Sequence, residues 1–216
     1  MNIFLVRHAQ SQSNVDPNVL KIKTNVAVNL SSIGVEQAQE TGLFIADFLH
    51  MPNTEGVKVW NSPYNRTRQT ANAIKDSLTV RNIKYVEEET IYMAERQFGL
   101  VDDVDGYQKH FQHEAKHYDL HKQSNHDFFA RPPLGESPFD MCMRLDFFIR
   151  TVLASETTVK NHIIVSHGAA IRGFILMHQK QKYEEYNCPN PYNASVRLIK
   201  DGEYKGQIFC PEKVTH

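Results

Sequence analysis

Apolar positions along the chain fall into two kinds of pattern, and their alternation implies an architecture. Ile3, Phe4, Leu5 and Val6 form an unbroken, partly β-branched run; Val57, Val59 and Trp60 form another, and residues 162–166 a third. Short runs of this kind fit strands buried on both faces, as at the centre of a parallel sheet. Between them, apolar residues recur at helical steps. Ala38, Gly42, Ile45 and Leu49 line one face of a helix that Ser31 caps, with Glu36 near its positive end. It runs to about His50, before Pro52, Asn53 and Gly56 break it. Thr67, Ala71, Ile74 and Leu78 make the inward stripe of a second helix, with Pro63 suited to its first turn. A further strand is expected around residues 84–88. After Ser137 a helix turns Met141, Leu145, Phe148 and Val152 inward, and another from about Ala169 presents Ile171, Phe174 and Ile175. Val196, Leu198 and Ile199, then Asp201-Gly202, then Tyr204, Ile208 and Phe209 read as a hairpin. Strands alternating with helices predict an α/β fold, a three-layer α/β/α sandwich with a mostly parallel central sheet.

Residues 93–138 break the pattern. They are rich in His, Asp, Gln and Lys, and read as a partly helical excursion over the sheet. Excursions of that length in compact domains often act as lids. The expectation is one domain, 1–216, with a lid insertion at roughly 96–137.

Composition narrows the partners. Hydrophobic residues are 41% and charged residues 23%, ordinary for a soluble globular chain. A net charge of −1 leaves no bulk electrostatic case for nucleic acid or an anionic membrane, so any anion must be held by a local basic cluster. Cys142, Cys188 and Cys210 form no CxxC pair, which argues against a zinc knuckle or disulfide framework and for reduced thiols in the cytoplasm. The first apolar run is too short for a signal peptide, and no stretch approaches the ~18 apolar residues of a membrane span.

Two of the buried-type strands end in histidine, at Val6-Arg7-His8 and Val165-Ser166-His167. A third ends at Ser62 and runs into a helix carrying Arg66 in its first turns. If these strands are neighbours, two histidines and two arginines meet at the carboxyl edge of the sheet, where open α/β sheets bind ligands. Arginine forks match phosphate oxygens, and the helix opening after His167 offers free N–H groups to an anion. Phosphate is the guest this chemistry suits.

Arg7-His8-Ala9, the run from Ser62-Pro63-Tyr64-Asn65-Arg66 through Ala71, and Ser166-His167-Gly168 resemble the three signatures of the histidine phosphatase superfamily, the phosphoglycerate mutase-like family. Glu95-Arg96-Gln97-Phe98-Gly99 is similar to the family's acid-bearing segment, and Gly135-Glu136-Ser137 to another recurrent element. Ala9 stands where glycine is common, but it remains small. The resemblance implies that His8 is the nucleophile that accepts the phosphoryl group. It implies that Arg7, Asn14, Arg66 and His167 hold the phosphate oxygens, and that Glu95 donates a proton to the leaving group. A neutral imidazole is a competent nucleophile near neutral pH, and neighbouring cations should hold it neutral. Two arginines, a second histidine and an amide supply the charge neutralisation that phosphoryl transfer needs without metal or cofactor.

The implied activity is metal-independent hydrolysis of a small phosphomonoester through a phosphohistidine. Position alone places Arg96 and Arg131 as contacts to the rest of the substrate. A phosphoglycerate mutase-type transfer is the alternative, disfavoured by the proline-bearing run Ala130-Arg131-Pro132-Pro133-Leu134-Gly135 in the lid; a catalytically silent binding module would be expected to lose a core residue, and none is lost. His110, His113, His117 and His121 are spaced 3, 4 and 4, one helix face. They read as the polar outer face of the lid helix, since no carboxylate or cysteine completes a metal set; a metal-dependent hydrolase using them is the competing reading. The natural substrate and the oligomeric state, a homodimer being one option, are left open by the sequence.

Overall fold

Each unbroken apolar run is a strand in the computed structural model, which describes residues 1–50, 56–99, 109–213 and 215. The strands are β1 (Asn2–Arg7), β2 (Val57–Asn61), β3 (Tyr85–Glu89), β4 (Asn161–Ser166), β5 (Val196–Lys200) and β6 (Glu203–Phe209). They form one sheet in the order β3-β2-β4-β1-β5-β6. The first four run parallel, and the β5–β6 hairpin adds antiparallel to β1. The register is level where it matters for chemistry: Val165 of β4 pairs with both Val6 and Asn61, and Ser166 pairs with Arg7. The residues that follow these strands therefore emerge side by side.

The helices are α1 (Gln12–Val15), α2 (Ser32–Leu49), α3 (Asn65–Val80), α4 (Gln112–Phe129), α5 (Pro138–Phe147) and α6 (Gly168–His178). Successive strand residues point to opposite faces. Phe4, Val6, Val59, Ile163 and Val165 meet α2 and α3 on one face, while Ile3, Leu5, Trp60 and Ile164 meet α5 and α6 on the other. This is the three-layer sandwich the pattern predicts. The stripe Ala38, Gly42, Ile45 and Leu49 is buried, as is Thr67, Ala71, Ile74 and Leu78. Among the described residues no helix is long and apolar enough to cross a membrane.

Three sequence expectations need correcting. Pro63 is not in the first turn of α3, because Ser62 still bonds to the Val165 carbonyl and Tyr64 is extended (φ −89°, ψ 143°), delaying the helix to Asn65. Val152 faces the core as expected but is only partly buried, and Leu153 beside it is fully buried. The chain there widens into a π-type turn over Phe148–Leu153. His110 does not share a helix face with its three partners, since Phe111 is non-helical (φ −127°, ψ 43°) and α4 starts after it. The strand expected at 84–88 is displaced by one residue and lies at the sheet edge, its row of glutamates facing solvent. Pro52 and Asn53, expected to break α2, and lid residues 100–108 lie outside the described residues.

Candidate active site

His8 follows β1 and His167 follows β4, and the parallel pairing brings their rings to a centroid distance of 5.2 Å. Both are buried, at 4% and 0% exposure. His8 Nδ1 lies 2.8 Å from the Ala9 carbonyl oxygen. A carbonyl can only accept, so this nitrogen carries the proton and the free lone pair sits on Nε2. The His8 backbone is pinned on both sides: its N–H donates to the Ser166 carbonyl (2.8 Å), and its carbonyl accepts from Asn193 Nδ2 (3.1 Å). The ring is thereby held in one tautomer and one orientation.

Arg7 and Arg66 bring the cations. Arg7 Nη1 donates to the Pro191 carbonyl (2.5 Å), while its Nε is buried without a protein partner. Arg66, on the first turn of α3, donates from Nη1 to the Asn25 carbonyl (2.7 Å) and Oδ1 (2.9 Å), and its Nη2 lies 3.2 Å from His167 Nδ1. A guanidinium only donates, so His167 Nδ1 accepts; its Nε2, 2.8 Å from Ser62 Oγ, then bears the hydrogen. The Tyr64 ring sits edge-on to His167 at 4.7 Å and under the Arg66 guanidinium at 4.6 Å.

Glu95 completes the cluster. Its Oε2 is 4.0 Å from His167 Nδ1, its side chain is 16% exposed, and its Oε1 accepts the Arg96 N–H at 2.9 Å. The charges perturb one another. Burial, then the Arg66 and Arg7 cations, holds His8 well below the usual imidazole range, and burial and Arg66 do the same to His167. Burial raises the Glu95 carboxyl, against the pull of the Arg96 N–H and of Arg66, Arg7 and Arg144. Burial also lowers Arg7 to about 10. The result is a dry, cationic floor, two neutral imidazoles and a carboxyl biased toward its acid form.

The structure thus brings together five of the six residues the resemblance implicates, His8, His167, Arg7, Arg66 and Glu95. Asn14 is exposed and forms the capping box of α1, where its Oδ1 accepts from the Ser11 N–H (3.0 Å) and Oγ (2.8 Å); only its Nδ2 is left to point at a ligand. Arg96 stacks on Phe98 at 4.2 Å beside Glu95, with a buried Nε that has no hydrogen-bond partner among the described residues. Arg131 is gripped by Asp140 (Nε to Oδ2, 2.7 Å) on the surface, and no described contact ties it to the histidine pair. Residues the motif reading passed over are Ser62, Tyr64, Asn25 and Asn193. Ser62 and Tyr64 stand inside the quoted motif; Asn25 opens a short 3-10 helix, Asn25–Ala27, and Asn193 sits in a turn, where no pattern marks them. His117 and His121 stack at 5.9 Å on α4, and among the described residues no three His, Cys, Asp or Glu side chains gather as a metal set.

A neutral histidine at the end of a central parallel strand, ringed by arginines, defines a phosphate-handling α/β protein. The family model of the histidine phosphatase superfamily (branch 1) matches residues 3–210, and the chain belongs to that superfamily. It is 29% identical to the phosphoglycerate mutase-like protein AT74 of Arabidopsis thaliana over 93% of this chain and 65% of that protein, just under two thirds of that relative's length. It is 27% identical to the broad-specificity phosphatase YOR283W of Saccharomyces cerevisiae over 92% of this chain and 79% of the relative. Among solved structures, a putative alpha-ribazole-5'-P phosphatase from Escherichia coli superposes with a TM-score of 0.71 at 21% identity, covering 100% of this chain and 98% of that one. That likeness is one of fold.

Proposed function

We propose that this chain is a phosphomonoesterase that works through a phosphohistidine on His8 and requires no metal. The observation that carries the reading is the His8 Nδ1 to Ala9 carbonyl bond, which leaves Nε2 unprotonated against a floor of guanidinium groups. In the first half-reaction the Nε2 lone pair forms the N–P bond as the ester P–O bond breaks. The leaving oxygen takes its proton from Glu95. Arg7, Arg66 and the Nδ2 of Asn14 bind the equatorial oxygens, with His167 beside them. In the second half-reaction water attacks phosphorus, gives its proton to the Glu95 carboxylate, and the N–P bond breaks to release phosphate. The raised Glu95 suits both halves, since it must be acid in one and base in the other. Arg96, whose Nε is buried and unpaired beside Glu95, is proposed to meet the substrate beyond its phosphate. The substrate is small and the setting cytoplasmic on this reading, in keeping with the free Cys142, Cys188 and Cys210.

The test is hydrolysis of a chromogenic phosphomonoester, with and without chelator, by the wild type and His8→Ala. Activity should survive the chelator and fall by about 10³-fold or more in His8→Ala, the scale on which loss of a covalent nucleophile is felt. Full activity in His8→Ala would sink the mechanism, and loss on chelation would move the chemistry to a metal. Because AT74 is named phosphoglycerate mutase-like, a mutase is the second reading. Robust interconversion of 3- and 2-phosphoglycerate with a bisphosphoglycerate primer would favour it.

A further inference from the structure

The Gly135-Glu136-Ser137 element, prominent in the sequence, contributes no atom to the cluster just described. What it touches is the segment that carries Glu95. The Glu136 N–H donates to the Gln97 carbonyl (2.7 Å), and the Gln97 N–H donates back to Glu136 Oε2 (3.1 Å). Gly99 adopts φ +60° and lies so close to the backbone of residues 133–135 that a Cβ there would stand 2.2 Å from the Pro133 carbonyl oxygen. The two stretches are therefore zipped together.

Arg144, about two turns further along α5, locks the zip. Its Nε and Nη2 fork onto Glu136 (2.8 and 3.1 Å). Its Nη1 donates to the Tyr92 carbonyl (2.5 Å), and its Nη2 also reaches the carbonyls of Ala94 (2.9 Å) and Glu95 (3.1 Å). One guanidinium thus binds three main-chain oxygens within four residues, ending at Glu95 itself. Residues 94–99 form no helix or strand long enough to hold themselves, so these bonds fix where the carboxyl stands. Arg144 is itself anchored in a capped helix: Ser137 Oγ accepts the Asp140 N–H (3.1 Å), and Asp140 Oδ2 accepts the Ser137 N–H (2.9 Å).

We propose that Arg144, clasped by the Gly135-Glu136-Ser137 element, is a positioning residue for Glu95 that sets the reach of its carboxyl toward the leaving oxygen. The inference rests on the reading of Glu95 as proton donor. A misplaced donor has a particular signature. A substrate whose leaving group departs unprotonated does not need it, whereas a simple alkyl phosphate does. General damage to the fold would slow both substrates alike.

The experiment compares kcat/KM, which covers only the phosphorylation of His8, on 2,4-dinitrophenyl phosphate and on a simple alkyl phosphate. The proteins are the wild type, Glu95→Gln, Arg144→Met and Arg144→Lys. Glu95→Gln should lose ~100-fold or more on the alkyl ester and little on the dinitrophenyl ester. Arg144→Met should show the same selectivity, with a loss of ~10- to 100-fold, and Arg144→Lys should restore part of it. Where Arg144→Met proves too unstable to purify, Arg144→Lys and Glu136→Gln carry the comparison. Equal losses on both esters in the Arg144 variants, beside a selective loss in Glu95→Gln, would overturn the positioning role alone. An unselective Glu95→Gln would overturn the proton-donor reading and the inference with it.

Discussion

Residue by residue, the site is a set of protonation states that burial enforces. His8 is depressed chiefly because the charged form is stripped of water, and only then because Arg66 and Arg7 face it. It should therefore stay neutral at a pH where an ordinary imidazole would be charged. The rate profile for hydrolysis should show no rising limb near pH 6.5 that belongs to His8. On the alkaline side the profile should follow Glu95, which Arg7, Arg66, Arg144, Arg96 and His167 surround and which burial raises above its usual 4.5. Measuring kcat/KM from pH 4.5 to 8.5 with a substrate of known second ionisation separates the two. Glu95→Gln should flatten the alkaline limb; if that limb persists in the variant, it belongs to another group. The clustered side chains were legible because they stand inside short contiguous motifs at or just after strand ends. Asn25 and Asn193 were not, because an asparagine in a short 3-10 helix or a turn that buttresses Arg66 or the His8 carbonyl looks like any other polar turn residue. Arg131 is different: its place in the lid said nothing about Asp140, which holds it.

Among the elements, what sequence periodicity captures is the packed face, and what it misses is where a helix begins or changes pitch. The α2 and α3 stripes follow from spacing because each is buried against the same sheet face. The π-type turn after α5 leaves no periodic trace: the spacing marks Val152, which packs on the core, but not Leu153, which is buried more deeply. Close approach of α2 and α3 gives a prediction at this scale. Gly42 is buried in α2, and a Cβ there would lie 2.6 Å from Ser77 Oγ and 2.7 Å from the Ala73 carbonyl oxygen of α3. The hydroxyl can rotate away, but the carbonyl cannot without moving the helix. Gly42→Ala gains helix propensity of roughly 1 kcal/mol. It should nonetheless be destabilising, since overpacking of this kind costs ~1–3 kcal/mol and the helices must separate. Urea unfolding of the two proteins decides the sign, and a more stable Gly42→Ala would show that α2 and α3 can part freely.

Taken whole, the molecule buries three imidazoles among its described residues, His8, His162 and His167, and that has a price in acid. Each is held below the usual 6.5 mainly by desolvation, His162 to about 4, where Glu156 pulls it up while Lys58 and the N-terminus push it down. Unfolded, each takes up a proton near pH 6.5; folded, each resists until the pH is well lower. In that window the unfolded chain binds more protons, so stability rises with pH and drains away as pH falls below about 6.5. Glu95 works the other way, because its raised folded pKa makes the native state the better proton acceptor above 4.5. One carboxyl opposes three imidazoles, so the imidazoles set the net direction. Each imidazole contributes up to ~1.4 kcal/mol per pH unit inside its window. The urea midpoint should thus be flat from pH 8 to 7 and fall steeply from 6.5 towards 4.5. His162 tests this away from the chemistry: it is fully buried between β2 and β1, where its Nδ1 accepts the Trp60 indole N–H at 3.2 Å and its Nε2 has no partner. His162→Gln keeps an acceptor for Trp60 but removes one titrating group, so its stability should depend less on pH by about one proton's slope. A His162→Gln protein with an unchanged slope would mean that His162 does not supply the acid sensitivity between pH 6.5 and 4.5; Glu156, held at about 2 by its bonds to Lys58 and Thr158, cannot supply it either, because its contribution is lost only below the usual carboxylate range.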